Sequence, residues 1–94
     1  MISFAGVLYL DGEKVSGISG QWTETRRGTT VELHGEFVAD EDLLARFRIG
    51  TKGRIEADSL DIDVRAGSSR DAGGGRCYEF HGQGPPRKAD DAGA

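Results

Sequence analysis

Apolar side chains in this chain recur at every second position in short runs, and 15 glycines punctuate those runs. A period of two places alternate side chains on one side of an extended strand, whereas a helix face needs spacings of three and four. The chain is therefore read as all-β. Its 94 residues suffice for one domain. With 36% hydrophobic and 30% charged residues it has enough apolar surface for a modest core and too much for a disordered chain.

The first strand, residues 2–10, alternates Ile2, Phe4, Leu8 and Leu10 on one side with Ala5, Val7 and Tyr9 on the other. Both sides are apolar, which predicts a strand covered on both faces. Asp11-Gly12 follows, a dipeptide suited to a tight hairpin because both central residues of that turn take positive φ. The second strand, residues 13–25, contains Gly17 and Gly20, and Val15 and Ile18 fall on opposite parities, so it carries a bulge or bend. Arg26-Arg27-Gly28 closes a second hairpin. In the strand that follows, Val31, Leu33 and Phe37 are expected inward and Glu32, His34 and Glu36 outward.

Past Ala39 two readings compete. Asp40-Glu41-Asp42 can cap a short helix, since an Asp side chain accepts from free amides and acids suit the first turn. Against this, Leu43, Ala45, Phe47 and Ile49 alternate with Leu44, Arg46 and Arg48, and that period favours a strand. Thr51-Lys52-Gly53 then forms a hairpin loop into a long strand, residues 54–66, whose parity change from Ile55 and Ala57 to Leu60, Ile62 and Val64 predicts a bulge near Asp58-Ser59. Residues 67–75, rich in Gly and Ser, read as a flexible loop. A last strand, residues 76–83, sets Tyr78 and Phe80 against Cys77, Glu79 and His81. The expected fold is a small antiparallel meander of about six strands closing as a barrel or a two-layer sandwich. It spans residues 1–84, and Pro85-Pro86 opens a disordered C-terminal tail, residues 85–94.

The net charge of −4 speaks against nucleic acid and acidic membrane surfaces as partners. No apolar run is long enough for a membrane helix and no leader segment is evident, so a cytoplasmic location is expected. Cys77, the one cysteine, can form neither an internal disulfide nor a multi-cysteine zinc site. Abundant Gly, Ala, Asp and Arg suggest a GC-rich bacterial or phage genome.

Three groupings are candidate sites. His34 with Glu36, and His81 with Glu79, share outward faces and would approach a three-ligand metal site if their strands were neighbours in register. Polar residues on a solvated sheet face explain the same pattern without metal. Trp22, Tyr9, Tyr78 and Arg26 can line a barrel opening that takes a small molecule, although a lone Trp more often packs at the end of a core. Arg26 and Arg27 together can clamp an anion. No phosphate loop, cofactor motif or nucleophile with an oriented base is found.

These observations favour a non-enzymatic protein-interaction module, binding a partner protein or its own copy through an edge strand or exposed sheet face, with no cofactor. A small-molecule-binding barrel lined by aromatics and Arg, and a metal-dependent enzyme using His34 and His81, are the alternatives.

Overall fold

A computed structural model describes residues 1–58, 60–71, 73 and 75–83. Its strands are β1 (Ile2–Leu10), β2 (Glu13–Arg27), β3 (Thr30–Ala39), β4 (Lys52–Ala57), β5 (Leu60–Asp71) and β6 (Arg76–Gln83). Two antiparallel meanders, β1–β2–β3 and β4–β5–β6, join edge to edge through β3·β6 and β1·β4 ladders, and the sheet closes as a barrel. Closure pairs off edges that would otherwise be left free. The expected tail, residues 85–94, lies outside the described residues.

Asp11 and Gly12 have φ of 55° and 79°, the conformation their sequence demands in a two-residue turn. On β2 the irregularity falls at Val15: Leu8 pairs with Ser16 and Tyr9 with Lys14, leaving Val15 extra. Beyond it Ile18, Gly20 and Trp22 share the inward parity. Gly35 of β3 lies beside Trp22, and a Cβ there would run into the backbone oxygen of Gln21 and come within 2.9 Å of the Phe80 ring. Glycine is required at that point for the sheet to coil tightly around its aromatic core.

The interior is filled by Leu8, Phe37, Ile55, Leu60, Ile62, Val64 and Phe80, all buried, with Phe4 edge-on to Phe80 at 6.0 Å between ring centroids. Each such side chain contributes about 1.5–3 kcal/mol by leaving water. The outer side of β1 is not covered: Ala5 is exposed and Val7 and Tyr9 are half-buried. Val31, expected inward, is 44% exposed because it lies where β2 and β3 run on past the barrel.

Between β3 and β4 the structure departs from the alternating reading. Residues 43–49 form no strand. Leu43 and Phe47 are buried and four apart, and the Leu43 carbonyl accepts N–H groups from Arg46 and Phe47 at 3.0 and 2.8 Å, a single helical turn. Asp42 accepts the Leu44 N–H at 3.0 Å. Capping acids thus start one turn rather than a helix, and the apolar alternation belongs to a segment that inserts two side chains into the barrel end.

The later strands depart from the expectation as well. The long strand expected over residues 54–66 is a hairpin, with Ala57 opposite Leu60; the parity change marks a turn at Asp58 rather than a bulge. Thr51-Lys52-Gly53 accordingly leads into β4 and is no hairpin loop. Of the expected loop, residues 67–71 belong to β5, where Gly67 and Ser68 bulge between the Ala66–Phe80 and Ser69–Tyr78 pairs. Backbone pairing with β6 outweighs the poor strand propensity of Gly and Ser there.

Candidate functional site

The segment of residues 40–51 crosses one end of the barrel and is tied down at both its ends. Asp40 donates its N–H to the Gly17 carbonyl at 2.9 Å, and Gly50 donates to Ala66 at 2.9 Å. Ser16, whose side chain is buried, accepts the Glu41 N–H at 3.2 Å and donates to the Gly17 carbonyl at 2.7 Å. In the middle, the Leu43 N–H donates to the Tyr78 hydroxyl at 3.1 Å, and the Phe47 ring lies 5.6 Å from Phe37 and 6.3 Å from Tyr78.

That anchoring leaves Leu44 49% exposed and Ile49 77% exposed on the outside of the same segment. Together with Phe47, Arg48 and the β5 bulge at Gly67 and Ser68 they line an open groove of about 910 Å³. Its crossover side carries Leu44, Ala45, Phe47 and Ile49 interspersed with two charged residues, and its strand side carries the hydroxyls of Ser68 and Ser69. Asp42 and Arg48 set charges of opposite sign on its lining.

On the outer face of β3 and β6, His34 lies directly opposite His81 and Glu36 opposite Glu79. The two imidazole rings are 6.4 Å apart between centroids. The neighbourhood that the candidate metal ligands needed is therefore present, but the carboxylates are engaged elsewhere. Arg70 donates to Glu36 at 3.0 Å, and Ser68 donates to Glu79 at 2.9 Å. Among the described residues no group of three or more His, Cys, Asp and Glu is disposed to hold a metal ion, and a catalytic zinc needs three protein ligands.

Cys77 has outward parity yet is only 5% exposed, beneath the Glu36–Arg70 pair. Burial first, and then hydrogen bonding to Glu36, pushes the thiol above its ordinary pKa. Arg76, its chain neighbour, instead pairs with Asp71 at 3.1 Å. Glu36 is held below the usual carboxylate range by its hydrogen bond from Arg70 and, second, by Cys77. A protonated, covered thiol is a poor nucleophile.

Trp22, Tyr9, Tyr78 and Arg26 do not gather around one opening. Tyr78 is buried under the crossover segment. Tyr9 points outward and donates to Glu56 at 3.2 Å, with the Arg54 guanidinium 5.6 Å from its ring centroid; the Glu56 hydrogen bond and then the Glu56 charge raise the phenol's pKa. Arg54 makes a two-pronged contact with Asp61 at 3.0 and 3.1 Å. Trp22 packs against the core from the opposite end, and its buried Nε1 has no hydrogen-bond partner. Arg26 and Arg27 are consecutive strand residues, so their side chains leave opposite faces and cannot clamp one anion together. Arg27 faces Glu32 across the hairpin at 3.8 Å, an exposed pair of little energetic weight.

Sequence reasoning missed Leu44 and Ile49. The signal was present: in the run Leu43, Leu44, Phe47, Ile49, four large apolar residues exceed what one helical turn can bury. No helix among the described residues is long and apolar enough to cross a membrane. Comparison with protein-family models, with curated proteins and with solved structures finds no match for this chain.

Proposed function

We propose that this domain is a protein-interaction module whose contact surface is the groove between the crossover segment and the β5 bulge. The observation that carries the reading is the division of labour within one short segment. Leu43 and Phe47 fix it to the core, while Leu44 and Ile49 are held out in water at 49% and 77% exposure. Two large apolar side chains kept exposed on an anchored backbone cost little ordering entropy when a partner covers them. Apolar side chains interspersed with charges, facing a hydroxyl-bearing wall, suit a protein segment presenting an apolar side chain and backbone amides. The buried free thiol of Cys77 suits a reducing compartment such as the cytoplasm.

A photo-crosslinking residue placed at Ile49 in producing cells tests this. The expected result is an adduct of one defined mass, containing one identified protein and lost when Leu44→Asp is added. The same probe at Thr29, at the far end of the molecule, should not capture that protein. Its capture equally from both positions, or no adduct from Ile49, would rule the groove out as the contact surface.

A further inference from the structure

The β2–β3 hairpin outruns the barrel. Ile2–Trp22 is the last β1·β2 pair and His34–His81 the last β3·β6 pair, whereas β2 and β3 stay paired out to Arg27–Thr30. Among the described residues, therefore, the β2 edge over residues 23–27 has no strand neighbour on its outer side. An unpaired edge of that kind is a template for another strand; proteins blunt it with proline, a bulge or charged side chains, and charges block pairing only with an edge that does not complement them. This edge, Thr23-Glu24-Thr25-Arg26-Arg27, has neither proline nor bulge, is regularly paired to β3 on its other side, and carries charges of both signs.

The charges on this edge are complementary to themselves. An antiparallel copy of the same edge, related by a two-fold axis through Thr25, sets Glu24 opposite Arg26 of the second copy and Arg26 opposite its Glu24. Thr25 then meets Thr25. Opposite-charge and Thr–Thr pairs are among the favoured cross-strand combinations, and a two-fold axis makes each of them occur without any second surface. Glu24 and Arg26 are both exposed, and neither has an ion-pair partner among the described residues. The corresponding β3 edge lacks this property, since an axis through Val31 would oppose Glu32 to Thr30.

We infer that the domain self-associates through the outer edge of β2 into a two-fold dimer whose hairpins form one continuous four-stranded sheet. This surface lies at the opposite end of the barrel from the crossover groove, so the two proposals stand or fall separately. Such a dimer presents two grooves to its partners and gains avidity for any partner with two matching sites.

Sedimentation equilibrium on the full chain over a concentration series tests the inference. Wild type should approach twice 10.1 kDa. Glu24→Arg and Arg26→Glu each turn both cross-strand pairs from attractive to repulsive, so each alone should weaken dimerisation by about tenfold or more. An equimolar mixture of the two variants should form a heterodimer, because every Arg then faces a Glu, and the double swap should dimerise like wild type. Circular dichroism confirms that the exposed substitutions leave the fold intact. A wild-type chain that stays monomeric throughout would overturn the inference, as would a dimer indifferent to the single reversals or a mixture that fails to associate.

Discussion

Leu43 donates its backbone N–H to the phenolic oxygen of Tyr78 across 3.1 Å, joining the middle of the crossover segment to β6 inside the barrel end. Both residues are buried. The bond supplies an acceptor for an amide in the turn's interior, where water does not reach, and it aims the Tyr78 ring so that Phe37 stacks on it at 5.7 Å. Segment, core and groove are thereby one mechanical unit.

Tyr78→Phe keeps the ring and deletes the acceptor. An unpaired buried amide costs about 1–3 kcal/mol, so urea denaturation should show a loss in that range. A loss below about 0.5 kcal/mol, the scatter typical of surface substitutions, would mean that water replaces the hydroxyl.

Phe47→Ala and Ile49→Ala separate the two duties of the crossover segment. Removing the buried ring should cost about 3–5 kcal/mol. Removing the exposed Ile49 should change stability by no more than about 0.5 kcal/mol. If both cost the same in thermal unfolding, Ile49 is not held out in solvent and the groove is not open.

Gly35→Ala forces a methyl group within 2.8 Å of the Trp22 Cα and 2.9 Å of the Phe80 ring. Overpacking of this kind should destabilise by about 1–3 kcal/mol or more. Gly75→Ala, where a Cβ would meet nothing within 4 Å, is the matched control and should be close to neutral in the same assay.

Alkaline pH should destabilise the fold through Cys77. Its thiol is raised above the ordinary value by burial and by Glu36. In the unfolded chain the proton therefore leaves at lower pH than in the folded one. Stability is present in full below the unfolded value, near 8.5, and is lost as pH rises toward the folded one, with a slope of at most about 1.4 kcal/mol per pH unit. Tyr9 has the same sign, so the measurement is the difference between wild type and Cys77→Ala across pH 8 to 10. Parallel curves would show that the thiol is not held protonated.

Residues whose pattern is set by nearest neighbours were legible. Asp11-Gly12 specified a hairpin because few dipeptides tolerate two positive φ angles. The clash of parity between Val15 and Ile18 revealed the β2 irregularity, which the ladder places at Val15. A parity clash also appeared between Ala57 and Leu60, but a bulge and a tight turn leave the same trace in sequence, and only the Ala57–Leu60 pairing separates them. Of the candidate site residues, the outward placement of His34, Glu36, Glu79 and His81 followed from alternation, and their mutual distance did not.

Period and turn chemistry in the sequence alone determined that this chain is built of antiparallel strands with an apolar side and where several of them turn, because those properties depend on residues a few positions apart. Tertiary structure decided the rest. Leu43, Ala45, Phe47 and Ile49 alternate like a strand, yet only Leu43 and Phe47 enter the core, because the open barrel end accepts two side chains from a crossing segment and β3 already has β6 as its neighbour. Which strands meet, and so whether His34 faces His81 or the β2 edge stays unpaired, depends on long-range closure of the barrel, which no local spacing encodes.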